Sequence, residues 1–456
     1  MLDCNYLVVG AGQTGLVIAQ ELAGLGKKVI LVEQGEIGGS YLFSYDIPKL
    51  LLQKEAKQFN STLKVFKDHP DTFTVLRKFR QKINSRILSD VKKKQKQNEL
   101  KLEKLENLKI VYGSAEFSSK SLAEVNSETE RHLVSFEKCI LATGNNTILK
   151  PSITGIDKVK FLHKHNAYLF DEIPSQIGII GVTVENLELA DIYSSLGVKV
   201  QIFEELESAR SLKKIDRSGL NYLLKQLISK QVEFNFKTKI TKVTKDKNGI
   251  ILIDAQKKEH LVSHIFVDVE ENFDGESLGL SKIEISSTKK GINVNSSGLT
   301  DQKHIWAFGE CASKCTPQNK YSSIYNYTQK LKTQQEEKKR GVKLLAGINF
   351  NILPEITPVN LSVIKINTDS PVLSVGFSEL EAIARLGSHH IRTTVVDHDL
   401  FEGFAKLIVK QSSGQILGIT LAGDFCIKLE NYMIREFPKN LLYRDFRNFL
   451  RANWGI

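Results

Sequence analysis

Apolar positions along this chain fall into two patterns, short unbroken runs and helical spacings, and the order of these patterns predicts an α/β fold. Tyr6-Leu7-Val8-Val9 is an apolar run of strand length. Leu16, Ile18, Ala19, Leu22 and Leu25 then share one helical face, and Val29-Ile30-Leu31-Val32 reads as a second strand. Between the first strand and the helix stands Gly10-Ala11-Gly12-Gln13-Thr14-Gly15, and Glu33 closes the second strand. A strand, a glycine turn, a helix, a strand and an acid in this order form the dinucleotide-binding fingerprint. Gly10 permits the tight turn, Gly12 admits a pyrophosphate to the backbone, and Gly15 lets the helix pack closely on the strand. The helix N-terminus offers unpaired N–H groups to phosphate, and Glu33 is spaced to accept from a ribose hydroxyl.

The pattern continues with Leu76, Phe79, Ile83, Ile87, Val91, Leu102, Leu105 and Leu108 at helical intervals, which predicts one long helix or a broken pair. Short strands are expected at Lys109–Tyr112, Ser114–Phe117 and Leu133–Phe136, followed by Lys138-Cys139-Ile140-Leu141. A second strand–helix–strand unit begins at Gln176-Ile177-Gly178-Ile179-Ile180-Gly181. It continues through Leu187, Ala190, Ile192 and Leu196 to Val198–Phe203, and ends at Glu204. Further on come a helix with Leu220, Leu223, Leu224 and Leu227, a strand at Ile250–Ala255, and Ile265-Phe266-Val267-Asp268. A Lys/Gln/Glu-rich helix is expected at Tyr325–Lys343, and Gly414 supplies the turn between two late strands.

At 456 residues the chain exceeds a single core and should hold about three domains. Its apolar runs are too short to span a bilayer, and the first strand starts too early to leave a signal peptide, so no membrane association is expected. Five scattered cysteines (Cys4, Cys139, Cys311, Cys315, Cys426) suit a reducing compartment, so a cytoplasmic location is expected. The net charge of +11 raises a nucleic-acid reading. However, the densest lysine run, from Lys92-Lys93-Lys94 to Lys109, is interleaved with Glu99, Glu103 and Glu106 as on a solvated helix face. Weak polyanion binding is the alternative, and no specific nucleic-acid partner is expected. Cys311 and Cys315, four apart, admit a relocated redox pair or half a metal site. No second ligand pair accompanies them and their helical spacing suits a disulfide poorly, so no metal site is assigned.

The stretch Gly38-Gly39-Ser40-Tyr41-Leu42-Phe43-Ser44-Tyr45-Asp46-Ile47-Pro48-Lys49-Leu50 resembles that of the flavin-dependent pyridine nucleotide–disulfide oxidoreductases. The resemblance extends over essentially the whole chain. It implies two Rossmann-like FAD/NAD(P)-binding domains and a C-terminal α+β dimerisation domain, hence a homodimer. The implied boundaries are 1–150 and 269–345 for the two parts of the FAD-binding domain, 151–268 for the NAD(P)-binding-like domain, and 346–456 for the C-terminal domain. FAD would be held by Gly10, Gly12, Gly15, Glu33, Gly38 and Gly39, by Ala142-Thr143-Gly144, and by Gly309-Glu310, where Glu310 replaces the family's aspartate. The family's redox cysteines correspond to Tyr41 and Asp46, so disulfide exchange is not expected. Its flavin-side lysine corresponds to Leu50, with Lys49 immediately before.

By the same resemblance the second unit would bind NADH or NADPH, and Gly181, Thr183 and Asn186 occupy its three glycine positions. Thr183 is β-branched, and Glu185 adds a repulsion of about 1–4 kcal/mol against a phosphate. Either the unit is a relic or it binds nicotinamide cofactor weakly; in the second case Glu204 favours NADH. The family's terminal His-Pro-x-x-x-Glu corresponds to Phe437-Pro438-Lys439-Asn440-Leu441-Leu442, without base or glutamate, while His389 and His390 read as surface residues. Asp46, Glu188 and Tyr45 are expected near the flavin ring, with Asp46 and Glu188 the candidate catalytic groups. The expectation is therefore an FAD oxidoreductase without disulfide chemistry, transhydrogenase- or diaphorase-like, acting on small-molecule electron donors and acceptors; oxidase or quinone-reductase activity is a variant. The alternative is a catalytically impaired FAD-binding homologue with a structural or regulatory role.

Overall fold

The computed structural model describes residues 1–66, 72–145, 147–169, 173–206, 212, 215–269, 271–295, 298–313, 363–398, 401–437 and 440–454. The first sheet is built on β1 (Leu2–Val9), whose last four residues are buried on both faces, as a central parallel strand requires. The helix α1 (Gln13–Gly24) buries Leu16, Ile18, Ala19 and Leu22, and β2 (Val29–Glu33) pairs parallel with β1. A short helix, α2 (Gly39–Phe43), and the 21-residue α3 (Asp46–Phe66) precede the long α4 (Thr72–Glu103). Ile83, Ile87 and Val91 of α4 share a core cluster with Leu52, Ala56 and Phe59 of α3, while Lys92, Lys93 and Lys94 face solvent.

The strands that follow depart from the sequence expectation. The strand β3 (Leu108–Tyr112) extends the parallel sheet beside β2. Gly113 has φ 147, and a Cβ there would lie 2.7 Å from Asn126 O, so the chain turns sharply into β4 (Ser114–Ser119). The strand β5 (Leu122–Asn126), which the sequence reading omits, completes a meander with β6 (Arg131–Leu141). The two expected segments 133–136 and 138–141 are one strand. Its first half alternates as an antiparallel partner of β5, and its second half is a buried parallel partner of β1. A switch from alternating to continuous burial within one strand reads in sequence as two strands.

The pair β7 (Thr147–Ile148) marks where the chain leaves this body. The second sheet contains β8 (Gln176–Ile180), β9 (Lys199–Glu204), β10 (Glu233–Phe236) and β14 (His264–Val267), in the order β10-β9-β8-β14 and all parallel. Its helices are α5 (Val184–Ser195) and α6 (Arg217–Ser229), and β11 (Ile240–Lys245), β12 (Ile250–Asp254) and β13 (Glu259–Val262) form its meander. The chain re-enters at β15 (Glu271–Asn272), which pairs antiparallel with β7. After a hairpin of β16 (Ser287–Thr288) and β17 (Gly291–Ile292), β18 (Ile305–Ala307) pairs parallel with β6 in the first sheet.

The C-terminal body is an antiparallel sheet of β19 (Val363–Ile366), β20 (Val372–Gly376), β21 (Ile391–His398), β22 (Phe401–Lys410) and β23 (Ile416–Gly423), ordered β19-β20-β23-β22-β21. A capping box of Ser378 and Glu381 opens α7 (Glu379–Leu386). The helices α8 (Asp424–Glu436) and α9 (Tyr443–Trp454) place Phe425, Leu429, Met433, Phe446 and Leu450 in the core of this body. The architecture is therefore α/β, with two Rossmann-like units and an α+β C-terminal unit. Among the described residues no helix is long and apolar enough to cross a membrane. The helix expected at 325–343 lies outside the described residues.

Buried ion networks join the second and third bodies. Lys230 Nζ meets Asp191 Oδ1 at 2.5 Å and Asp369 Oδ2 at 2.7 Å; Lys406 Nζ meets Asp216 Oδ1 at 2.9 Å and Glu379 Oε2 at 2.6 Å. The closest backbone approach lies in the first body, where a Cβ on Gly15 would stand 1.8 Å from Gly10 O. Gly15→Ala should therefore destabilise the fold by about 1–3 kcal/mol, read as a lower urea midpoint at unchanged m. An unmoved midpoint would refute this account of the turn.

Candidate functional site

Four strand ends stand side by side at the C-terminal edge of the first sheet, where open α/β sheets hold ligands. Gly10 N–H donates to Val32 O at 2.8 Å, Ala142 N–H to Val9 O at 2.8 Å, and Phe308 N–H to Leu141 O at 2.9 Å. Three sequence-distant segments thereby converge. A Cβ on Gly10 would lie 2.4 Å from Ala142 O, one on Gly309 3.2 Å from Thr14 Oγ1, and one on Gly144 4.0 Å from Glu310 Oε2. Gly39 is equally close to the turn, 3.0 Å by the same measure from Gly12 Cα, and Gly38 is bridged to Gly12. Gly12 alone among these glycines faces open space, with nothing within 4 Å of where its Cβ would stand. It is also the N-cap of α1, and no side chain caps that helix. An open helix N-terminus of this kind suits a pyrophosphate. Glu33 accepts from Ala11 N–H at 2.6 Å and from Gly35 N–H at 2.8 Å, so it braces the turn from the adjacent strand.

The second unit repeats these bonds. Gly181 N–H donates to Phe203 O at 2.7 Å, and Glu204 accepts from Val182 N–H at 2.9 Å and Leu206 N–H at 3.0 Å. Here the acid is buried, unlike Glu33. The N-terminus of α5 also differs, because Thr183 is the N-cap and its Oγ1 accepts from Asn186 N–H at 3.2 Å. Asn186, in the place of Gly15, is fully buried and donates through Nδ2 to Ile180 O at 3.0 Å and Gly181 O at 2.9 Å. An amide side chain thus occupies the close approach that glycine makes in the first unit.

Between the two units lies the stretch after Gly39. Leu50, at the family's lysine position, is exposed, whereas Lys49 is buried and bonded to Glu188 of α5. The helical phase of α3 decides this, since adjacent positions point about 100° apart. The other carboxylate oxygen of Glu188 accepts from Asn367 N–H at 2.6 Å. Burial pushes the Glu188 carboxyl up, while Lys49 pulls against it. Lys49 Nζ also lies 5.2 Å from the ring centroid of Tyr45, which packs edge-on to Tyr168 at 5.8 Å. Tyr168 is fully buried, its hydroxyl has no hydrogen-bond partner among the described residues, and burial followed by the charges of Glu188 and Glu185 drives its pKa well above the ordinary value. The phenol of Tyr41 is raised by burial and by neighbouring Asp46. Asp46, Glu188 and Tyr45 share one neighbourhood with Lys49, which the sequence reading named only as the residue before Leu50, and with Tyr168, which it did not name.

A further group was invisible in sequence. His165 Nδ1 lies 3.2 Å from Ser44 Oγ, and His165 Nε2 bonds Glu271 Oε1; Lys164 Nζ takes Glu271 Oε2 at 2.7 Å. Burial alone would raise the Glu271 carboxyl, but its bonds to His165 and Lys164 outweigh that and hold it at about 2. These residues come from segments more than a hundred positions apart and form no motif. Cys4, Cys139, Cys311 and Cys426 are buried, and burial pushes Cys4 up to about 11 and Cys426 up to about 12. Cys315 lies outside the described residues, as do Pro438 and Lys439. His389 and His390 are exposed. Among the described residues no group of three His, Cys, Asp or Glu is placed to hold a metal ion.

The family model described as pyridine nucleotide-disulphide oxidoreductase matches residues 4–330. The dihydrolipoyl dehydrogenase of Buchnera aphidicola subsp. Acyrthosiphon pisum is 28% identical over 443 residues, covering 92% of this chain and 86% of that protein. The mercuric reductase of Shigella flexneri is 23% identical over 453 residues, covering 91% and 72%. Among solved structures, the Cu(II) complex of the HOCl-induced flavoprotein disulfide reductase RclA from Escherichia coli superposes with a TM-score of 0.80 at 20% identity, covering 97% of this chain and 95% of that one.

Lys49→Met should cost about 3–5 kcal/mol, because it strands the buried Glu188 charge. The double variant Lys49→Met/Glu188→Gln, which keeps an acceptor for Asn367 N–H, should recover most of that loss in urea unfolding. A single variant as stable as the parent protein would refute the pairing.

Proposed function

This chain belongs to the pyridine nucleotide-disulphide oxidoreductase family, and from that premise we propose that it is an FAD-binding oxidoreductase working without a dithiol. The observation that carries this reading is the convergence of 10–15, 142–144 and 309–310 on an uncapped α1 facing open space at Gly12. Gly10, Gly12 and Gly15 would cradle the pyrophosphate with Gly38 and Gly39, Glu33 would take the adenosine ribose, and Ala142, Thr143, Gly144, Gly309 and Glu310 would hold the flavin end. The bound flavin would supply hydride transfer. Tyr41 and Asp46 stand where the family keeps its cysteines, and neither side chain can form a disulfide. The reading takes 1–150 with 269–345 as the FAD domain, 151–268 as the nicotinamide-cofactor domain and 346–456 as the dimerisation domain of a cytoplasmic homodimer.

Within this reading Asp46 and Glu188 act beside the flavin, and Lys49 positions Glu188. Gly181 and Glu204 frame the nicotinamide-cofactor turn, whose capped helix weakens phosphate binding; Glu204 favours NADH over NADPH by repelling a 2′-phosphate. The same capped turn favours a second reading, in which FAD serves folding and the chain has a binding or regulatory role.

Anaerobic titration separates the two readings. Yellow protein that bleaches with NADH, and reduces an aromatic disulfide only at background rate, is the expected result. Yellow protein inert to both nicotinamides favours the second reading, and colourless protein that takes up no added FAD defeats both. Asp46→Asn removes a negative charge beside the reduced flavin, so its reduction potential should rise; an unchanged potential and turnover would exclude Asp46 from the site.

A further inference from the structure

The seam where the chain leaves and re-enters the first body holds polar groups that the reading above does not use. Ser44 stands between Tyr41 and Asp46, the two positions corresponding to the redox pair, and is partly exposed. Its Oγ lies 3.2 Å from His165 Nδ1 and 3.2 Å from Ser40 O. His165 comes from the crossover after β7, its side chain is 22% exposed, and its Nε2 is bound to Glu271 of β15. The same alignment of hydroxyl, imidazole and carboxylate serves acid–base work wherever it recurs.

We propose that Ser44, His165 and Glu271 form a proton relay between solvent and the candidate site. The proposal rests on the flavoprotein reading. With Nε2–H directed at Glu271, Nδ1 of the neutral ring accepts from the Ser44 hydroxyl. In the imidazolium form Nδ1–H donates to Ser44 Oγ instead, and the hydroxyl turns to Ser40 O. Ser44 therefore has a hydrogen-bond partner in either state, and a proton can pass without leaving a buried polar group unmet. Lys164 bonds the other oxygen of the same Glu271 carboxylate. His163, whose ring centroid lies 6.0 Å from that of His165, is held low by burial and then by His165 itself. Tyr45 packs 6.5 Å from His165, and Asp268, raised by burial and by Glu185, completes the surrounding charges.

A quinone serves as the probe acceptor because its reduction consumes protons at oxygen and needs no thiol. Two electrons and one proton would reach it as a hydride equivalent from reduced nicotinamide by way of the bound cofactor. The second proton would come from the Ser44 hydroxyl, which is reprotonated by His165 and then by solvent. Overall, quinone, reduced nicotinamide and one proton give hydroquinone and oxidised nicotinamide. The C-terminal stretch 437–442 carries no histidine to do this work.

The test uses the full-length holoprotein, its flavin photoreduced anaerobically and then mixed with menadione between pH 5 and 9. Reoxidation should slow as pH rises, because the relay delivers a proton taken from solvent. His165→Gln should be roughly 100-fold slower and independent of pH, Ser44→Ala slower by a smaller factor, and the surface variant His389→Gln unchanged. Ser44→Ala, a one-atom deletion at a partly exposed site, carries the test if His165→Gln does not fold. In parallel, histidine NMR of the full chain should show the His165 ring signals moving in Glu271→Gln, since the carboxylate that Nε2 bonds is lost. Parental rate and pH profile in His165→Gln and Ser44→Ala, or unmoved His165 ring signals in Glu271→Gln, overturns the relay. A chain that takes up no FAD defeats the flavoprotein reading, and the NMR arm then still decides whether His165 and Glu271 are coupled.

Discussion

Three bodies of this protein meet at one buried carboxylate. Glu188 projects from α5 of the second unit, takes Lys49 of the first with one oxygen and accepts the Asn367 N–H of the third with the other. An ion removed from water is tolerated only when its lone pairs are filled, and here each filling group belongs to a different body. The surrounding core cluster follows the same lines, joining Leu52 and Phe59 of α3, Leu187 and Ile192 of α5, and Val372 and Ala422 of the C-terminal sheet. Moving any one body away would leave either a charge or a backbone donor unmet. Lys230 and Lys406 repeat this logic between the second and third bodies, so the junction that frames the candidate site is held by directional bonds as well as by apolar contact.

The two strand–helix–strand units show how one backbone plan supports different ligand chemistry. Both brace the glycine turn with an acid from the neighbouring strand, Glu33 in one and Glu204 in the other. They part at the helix N-terminus. In the first, Gly15 brings the helix against Gly10 O and Gly12 leaves the first turn uncapped and open. In the second, Thr183 satisfies one of those donors and Asn186 bonds the turn carbonyls. A helix end that caps itself has less to offer a phosphate.

The neighbourhood of Tyr41 and Asp46 is chemically rich. It gathers a buried lysine–glutamate pair, the buried hydroxyl of Tyr168, and the Ser44–His165–Glu271 alignment at the adjoining seam. Such groups are suited to moving protons and orienting charge.

Sequence alone determined the local units and their order. The strand–turn–helix periodicity of residues 6–33 and 177–204, and the apolar spacing of Ile83, Ile87 and Val91, follow from short-range sterics and solvent exclusion, so they are legible in one dimension. Likewise the identities of Tyr41 and Asp46 can be read directly beside Gly38 and Gly39. Tertiary structure decided what distant segments do to one another. It made β3 a parallel neighbour of β2 and joined 133–136 with 138–141 into one strand, because strand partners are chosen by hydrogen bonding across the sheet. It turned Lys49 inward and Leu50 outward, since the phase of α3 is set by what α3 packs upon. It also brought Ser44, His165 and Glu271 together through a crossover and a re-entry that leave no periodic trace. Backbone geometry is encoded locally; a charge or a proton path is completed only where the chain returns to itself.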